Sequence, residues 1–498
     1  MKIMIAYPPI PSDKGVPLIS QNRQFQWFNR PTFIYPVVPA YAATLLKERG
    51  YDSVWGDGVA AMMKVDEFKE FFDREAPDMI AIEAKTPVIR AYWKWASELK
   101  RMRPNCTVVL MGDHVTGFPE EAFDHCNVDY VITGGDFDYA LLNLANHLTK
   151  GEVLEGGVYW KDKNEGVVKN SGTFKLEKNL NDLPFIDRDL TRWDLYAVEN
   201  GNFKYTPGTY QMAGRDCWWG KCTFCSWTTT FNNFRSVSAE RHLDEVEILV
   251  KKYGVREIFD DTGTFPAGMW LKKFCTGLIE RGLHKKVVYG INMKPGVLKQ
   301  EQWDLMGKAN FRFILFGVES ANQETTDRLL KGGKVEDIPP TMRMAKKAGL
   351  EPHVTCMVGY PWETYQQAKN TIDLCKGMFD KGYIDTLQAT IVIPYPGTPL
   401  HREAVEKGWL LTEDYDRFDM REPVMKLMDG VKYEDILELT QGIYKSFLTP
   451  RFILRKLLSI RNIDDIKFIF MAAGRVIGHL TDFSKKQPAR DTTDQMKF

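Results

Sequence analysis

Three cysteines fall within nine residues in the segment GRDCWWGKCTFCSW, residues 214–227, at Cys217, Cys222 and Cys225. Their spacing is Cys-x4-Cys-x2-Cys. Three thiolates on one loop can each take one iron of a 4Fe–4S cubane, which leaves the fourth iron without a protein ligand. A structural metal site avoids such an open position, whereas a catalytic site needs it. The competing reading is a structural zinc site, which asks for four ligands. No fourth Cys or His lies close by: His242 is the nearest His, and a distant ligand such as Cys275 would have to complete the set. Spacing alone leaves both readings open. The other five of the eight cysteines are scattered. That usage is not a disulfide framework and points to a cytoplasmic protein.

Such a loop needs a scaffold, and short apolar runs alternate with helical periodicity on both sides of it. In residues 1–150, strands are expected at 2–6, 79–83, 107–111 and 130–133, with helices over 39–49 and 88–101. This alternation reads as a doubly wound, parallel α/β sheet, which binds ligands at the carboxyl ends of its strands. Residues 151–205 are polar and mixed and read as a linker with a small hairpin. From about Tyr210 the alternation resumes, with strands expected at 257–259, 287–291, 313–316, 353–358 and 387–393 and helices over 269–281, 302–308 and 338–348. That is a barrel or partial barrel, whose site lies on the loops after its strands. From about Tyr433 the chain reads as helical, over 436–447, 452–458 and from 463 onwards.

Bulk properties exclude some classes of function. Of the 498 residues, 66 are Lys or Arg and 66 are Asp or Glu, so net charge gives no reason to expect nucleic acid or an acidic membrane as partner. No apolar run reaches the ~18–20 residues of a membrane span. The nearest candidate, residues 468–480, is short and contains Arg475 and His479, and reads as a buried or amphipathic helix. The opening MKIMIAYPPI reads as a strand entering a Pro-Pro turn rather than as a signal peptide.

Further segments accompany the cysteines. Phe224 stands just before the last cysteine; FDDTGTF spans 259–265, FGVES 316–320, MVGYPWET 357–364 and IPYPGTPL 393–400. In the first half, LMGDHVTGFPEE spans 110–121 and VDYVITGGDFD 128–138. In order and spacing the whole set resembles the cobalamin-binding radical S-adenosylmethionine (SAM) enzymes. That class includes the anaerobic magnesium-protoporphyrin monomethyl ester cyclase and the class B radical SAM methyltransferases. The cysteine loop departs from the commonest family spacing, Cys-x3-Cys-x2-Cys, by one residue, and Gly135 and Asp136 stand where the family has an acidic run.

The resemblance implies a Rossmann-like cobalamin-binding domain over 1–150, a linker over 151–205, a radical SAM (β/α)6 partial TIM barrel over 206–430 and a helical C-terminal region over 431–498. It implies three cofactors: a 4Fe–4S cluster on the three cysteines, SAM chelating the open iron through its amino and carboxylate groups, and cobalamin. Contacts to SAM are expected from Phe224, Asp260, Asp261, Glu319, Ser320, Gly359 and Pro361. Contacts to cobalamin are expected from Pro8, Pro9, Asp57, Thr86, Gly112, His114, Thr116, Gly134 and Gly135. In classical cobalamin domains DxHxxG supplies a His to cobalt; here Asp113 and His114 are adjacent, so the resemblance implies a His114 contact to the corrin or its tail without coordination. Trp218, Trp219 and Trp227 either pack the loop or offer flat surfaces near the cluster.

The activity so implied is transfer of a methyl group from SAM, by way of cobalamin, to an unactivated carbon. A protein or peptide residue is the expected acceptor, for example a glutamine of methyl-coenzyme M reductase. A low-potential donor such as a ferredoxin or flavodoxin supplies electrons, and no side chain is singled out as catalytic. Ring formation or rearrangement without methyl transfer is the alternative, and a non-enzymatic zinc or RNA-binding protein is a further one. A methylthiotransferase would need a second cysteine triad, and the first domain holds only Cys106 and Cys126.

Overall fold

The computed structural model describes residues 1–19 and 25–482, the side chains of 475–482 excepted. Seven strands build the first sheet: β1 (Lys2–Tyr7), β2 (Asp52–Asp57), β3 (Met79–Glu83), β4 (Thr107–Met111), β5 (Tyr130–Ile132), β6 (Val158–Lys161) and β7 (Val168–Asn170). Their spatial order is β2-β1-β3-β4-β5-β6-β7. The first five run parallel and the last two antiparallel. Strands β1, β3 and β4 are nearly unbroken apolar runs, as covering by helices on both faces requires. The helices are α1 (Val37–Glu48), α2 (Val65–Glu75), α3 (Ile89–Met102) and α4 (Phe137–Lys150).

Two features depart from the sequence-based expectation. Strand β2, DSVWGD, is not among the expected strands: it lies at the sheet edge with an exposed first residue and lacks a clean alternation. The hairpin expected within 151–205 forms, but as β6 and β7 it continues the first sheet past β5 rather than standing apart.

The second sheet has six parallel strands in sequential order: β8 (Gly208–Gln211), β9 (Glu257–Asp260), β10 (Val288–Met293), β11 (Phe311–Glu319), β12 (Glu351–Val358) and β13 (Thr386–Ile391). Helices α5 (Ala239–Tyr253), α6 (Gly268–Glu280), α7 (Gln300–Lys308), α8 (Ile338–Lys347) and α9 (Tyr365–Asp380) connect them, and α10 (Pro399–Glu406) follows β13. β8 and β13 are the two edges and do not pair, so this is a partial barrel of six β/α units. β8 is a further strand missing from the expected set; its four residues, GTYQ, are all buried and show no alternation.

Helices α11 (Tyr433–Gly442), α12 (Pro450–Leu458) and α13 (Ile463–Asp482) follow. Phe452 stacks on Phe379 of α9, ring centroids 4.8 Å apart. Arg256 pairs with Asp464 at 2.7 Å and Lys204 with Asp465 at 2.5 Å, which ties α13 to the barrel. Among the described residues no helix is long and apolar enough to cross a membrane.

Candidate active site at the carboxyl end of the barrel

Just beyond β8, Gly214–Arg215 pairs antiparallel with Arg235–Ser236, so the intervening cysteine loop leaves and returns at one place. Backbone and side chains then staple the loop to the barrel. The Asp216 carboxylate accepts the Gly263 N–H at 2.8 Å, and Cys217 bridges to Thr264, with Sγ 3.2 Å from Oγ1. Thr223 donates its N–H to Leu329 and accepts one from Leu400. Trp219 donates Nε1–H to the Leu330 carbonyl at 2.7 Å, and its ring lies so close to Gly332 that a Cβ there would come within 2.2 Å. Trp218 donates to the Phe265 carbonyl at 3.3 Å, and Trp227 is buried against Phe231. All three tryptophans therefore pack the loop, and Trp219 also lines the site.

The loop forms one wall of a cavity of about 240 Å³. Cys217, Cys222, Cys225, Phe224 and Glu319 all line it. Among the described residues, no three His, Cys, Asp or Glu side chains converge to hold a single metal ion. A cubane makes a different demand: each thiolate takes its own iron. Soft sulfur donors on one wall of a cavity, with space beside them, fit that group. Two cations join them. Lys331 donates to Glu319 at 2.7 Å, and the Lys294 ammonium sits 4.3 Å from the Trp219 ring centroid. Burial pushes the Cys222 thiol up to about 11, against the pull of the Lys331 charge. Those ammonium groups would offset the negative charge of bound thiolates.

The Glu319–Lys331 pair is built by local backbone irregularity. The β11–β12 register shifts between Gly317 and Glu319, and Glu319 takes a left-handed conformation at φ 65°. A Cβ on Gly317 would lie 2.2 Å from Glu319 Oε1 and 2.9 Å from Lys331 Nζ, so a side chain there would have to displace the ends of both.

Neutral polar side chains line the same cavity. His353 and Thr355 alternate along β12, and Gln388 and Thr390 along β13. Asn292 of β10 adds an amide. His353 Nδ1 lies 2.8 Å from Thr386 Oγ1, and burial lowers its pKa to about 4, so the imidazole is neutral at neutral pH. These residues, with Lys294 and Lys331, are absent from the sequence-based candidates. Polar residues two apart in otherwise apolar strands were the available signal.

Other candidates lie off the cavity. Asp260, fully buried, accepts the Ala213 and Thr262 N–H groups and pairs with His242 at 2.9 Å. Asp261 takes its place beside it, with its N–H on the Gln211 carbonyl. Ser320 donates to Glu363 at 2.8 Å, and Gly359 turns the chain at φ 88° ahead of Pro361. These groups shape the strand ends rather than line the cavity.

At the carboxyl ends of the first sheet, the remaining candidates mostly engage one another. The Pro9 carbonyl, after Pro8, accepts from Trp95 at 2.9 Å. Tyr196 donates to Asp57, whose pKa burial raises to about 6. His114 is 1% exposed, with Nδ1 on Thr86 at 3.2 Å and Nε2 on Glu121 at 3.0 Å, so both ring nitrogens already have partners. Thr116 donates to the Gly112 carbonyl and accepts from the Gly134 N–H. A Cβ on Gly112 would lie 2.3 Å from the Ala84 carbonyl, and one on Gly135 2.1 Å from the Phe231 ring. None of these residues lines the cavity. On α3 and just after β4, however, Tyr92 Oη, Trp93 Nε1 and Asp113 Oδ1 are buried and have no hydrogen-bond partner among the described residues. Buried polar groups without partners are costly, and a polar ligand there would satisfy them.

Asp136 and Asp138 do something the sequence did not disclose. Arg215, at the foot of the cysteine loop, pairs with Asp136 at 3.0 Å and Asp138 at 2.5 Å, while Arg235 pairs with Asp136 at 2.8 Å. The first domain thus grips both strands that carry the loop.

Comparison with known proteins agrees with this layout. Residues 213–375 match the radical SAM superfamily. An uncharacterised methyltransferase of Pyrococcus horikoshii is 28% identical over 84% of this chain and 89% of its own length. The anaerobic magnesium-protoporphyrin IX monomethyl ester cyclase of Rubrivivax gelatinosus is 24% identical over 84% of this chain and 75% of its own. Among solved structures, the cobalamin-dependent SAM radical enzyme OxsB superposes with a TM-score of 0.69 at 15% identity, covering 96% of this chain and 71% of that one. The radical SAM methyltransferase TsrM of Kitasatospora setae gives a TM-score of 0.65 at 14% identity, covering 90% and 88%. Residues 213–375 thus form a radical SAM domain, and the chain as a whole has the fold of the cobalamin-dependent SAM radical enzyme OxsB and of TsrM.

Proposed function

We propose that the enzyme is a cobalamin-dependent C-methyltransferase that moves a methyl group from SAM, by way of cobalamin, to an unactivated carbon. The observation that carries this reading is one cavity that combines the three cysteines, two lysines and neutral polar side chains, together with partnerless buried polar groups on α3 and just after β4 of the first domain. When bound, the cluster with SAM supplies one-electron hydrogen abstraction and cobalamin supplies methyl transfer. Cys217, Cys222 and Cys225 hold the cluster. Lys294 and Lys331 provide positive charge for a carboxylate such as that of SAM, and Glu319 accepts from its hydroxyl or ammonium groups. Phe224, on the same wall, offers a ring face for the adenine. Tyr92, Trp93 and Asp113 are the groups left to bond cobalamin in the first domain.

The substrate side is the set of His353, Thr355, Gln388 and Thr390. With no charged side chain in that set, it suits a neutral polar group such as a carboxamide, which needs both donors and acceptors. This supports a protein or peptide residue, such as glutamine of methyl-coenzyme M reductase, as acceptor. A ferredoxin or flavodoxin supplies the electrons. The similarity to a magnesium-protoporphyrin cyclase favours ring formation as the second reading.

Anaerobic reconstitution with iron, sulfide, cobalamin and methyl-labelled SAM, incubated with glutamine-containing peptides, separates the readings by mass. Methyl transfer adds one labelled methyl group and yields 5′-deoxyadenosine. Cyclisation yields deoxyadenosine without added mass. Stoichiometric zinc without iron contradicts both.

A further inference from the structure

The C-terminal helices present their apolar face outward. On α12, Ile453, Leu454, Leu457 and Leu458 recur at helical spacing and are 47–78% exposed. On α13, Ile463, Ile466 and Phe470 continue the pattern at 67%, 41% and 75% exposed. The inward side of α12 carries Phe452 together with two charged residues. Arg455 donates to the Phe379 carbonyl at 2.8 Å and lies over the Phe379 and Phe452 rings, and Lys456 pairs with Asp385 at 3.3 Å. An amphipathic helix packed on a domain normally turns the other way.

Charge is also sorted by side. The acidic residues at the start of α13, Asp464 and Asp465, turn inward to Arg256 and Lys204. Arg451, Arg461 and Lys467 are exposed alongside the apolar stripe. The outward face is thus apolar and cationic, although the chain as a whole is neutral. Among the described residues nothing on it is long enough to span a bilayer.

We propose that this face docks the enzyme on an anionic lipid surface. Leu454, Leu457, Leu458, Ile463, Ile466 and Phe470 enter the boundary between headgroups and acyl chains, and Arg451, Arg461 and Lys467 meet the lipid phosphates. A second copy of the chain is a poorer occupant. A two-fold interface is self-complementary, so it would set this cationic rim against an identical cationic rim. A lipid surface supplies the opposite charge together with apolar depth.

The test uses the full chain with its cluster reconstituted, sedimented with phosphatidylcholine vesicles with or without phosphatidylglycerol. Partitioning onto the phosphatidylglycerol vesicles should exceed that onto phosphatidylcholine alone by about tenfold or more and fall with added salt. The double variant Leu454→Glu/Leu458→Glu should lose this binding by roughly tenfold or more while keeping its iron content and thermal midpoint, because both positions are already exposed. Arg451→Glu/Lys467→Glu should abolish the preference for anionic vesicles. Equal binding to both vesicle types, no binding to either, or vesicle binding that survives the leucine variant would overturn the proposal. So would a concentration-dependent dimer in sedimentation equilibrium that the leucine variant dissolves, which would assign the face to a second copy.

Discussion

Gly317 shows how much of the site depends on single atoms. Its missing Cβ leaves room for the Glu319 carboxylate and the Lys331 ammonium, which would otherwise lie 2.2 and 2.9 Å away. Gly317→Ala should displace the ends of those two side chains while leaving the three cysteines in place. The expected result is unchanged iron content with SAM binding weakened about 5–150-fold, the equivalent of ~1–3 kcal/mol for a lost charge-assisted hydrogen bond, measured by equilibrium dialysis. Such a residue is hard to recognise in sequence, because its reason is a close approach by residue 331, fourteen positions along. The cysteines were legible for the opposite reason: their chemistry is encoded in nine consecutive residues. The SAM contact expected at Asp260 came from the family resemblance of its turn; its carboxylate bonds Ala213, Thr262 and His242 at the barrel mouth.

At the scale of elements, β12 and β13 aim polar side chains inward, two residues apart. Gln388→Leu keeps strand shape and volume but removes the amide beside Thr355 on the cavity lining. Its expected effect is a KM for the acceptor raised about tenfold with iron content and SAM binding unchanged, consistent with loss of one or two hydrogen bonds of ~1 kcal/mol each. Most barrel strands and helices could be read from periodicity, since long segments with one buried face carry a strong pattern. β8 and β2 could not. The first is four buried residues with polar and small side chains, and the second is an edge strand whose pattern is diluted by exposure. The hairpin β6–β7 was legible as a hairpin, but its attachment to the first sheet depends on pairing with β5, which no local pattern records.

At the scale of the whole molecule, Arg215 joins the two domains. Its guanidinium is buried between Asp136 and Asp138 of the first domain and precedes the first cysteine by two residues. Arg215→Met leaves the buried Asp138 carboxylate without its cation, while Asp136 keeps Arg235; removing one partner of a buried pair is a class of change that costs about 3–5 kcal/mol. Chemical unfolding followed by far-ultraviolet circular dichroism should register that loss, and iron should be released at lower denaturant than in the parent protein. Acidic groups in the first domain add a pH dependence of their own. Burial raises Glu83 to about 7 and Asp57 to about 6, above their ordinary values of 4.5 and 3.8. Between the unfolded and folded values the folded state binds more protons, so stability is fully present below that window and falls as pH rises through it. Unfolding free energies should therefore decline from about pH 4.5 to about pH 7, at up to ~1.4 kcal/mol per unit for each group. Glu83→Gln should flatten part of that slope; an unchanged slope would remove Glu83 as its source.

The central claim is that Cys217, Cys222 and Cys225 hold a cubane with one open iron. Electron paramagnetic resonance of the anaerobically purified, dithionite-reduced protein tests it most directly. The account predicts a 4Fe–4S signal that shifts when SAM is added and vanishes in Cys222→Ser. A protein that contains one zinc and no iron, or a cluster signal untouched by serine at all three positions, would contradict it.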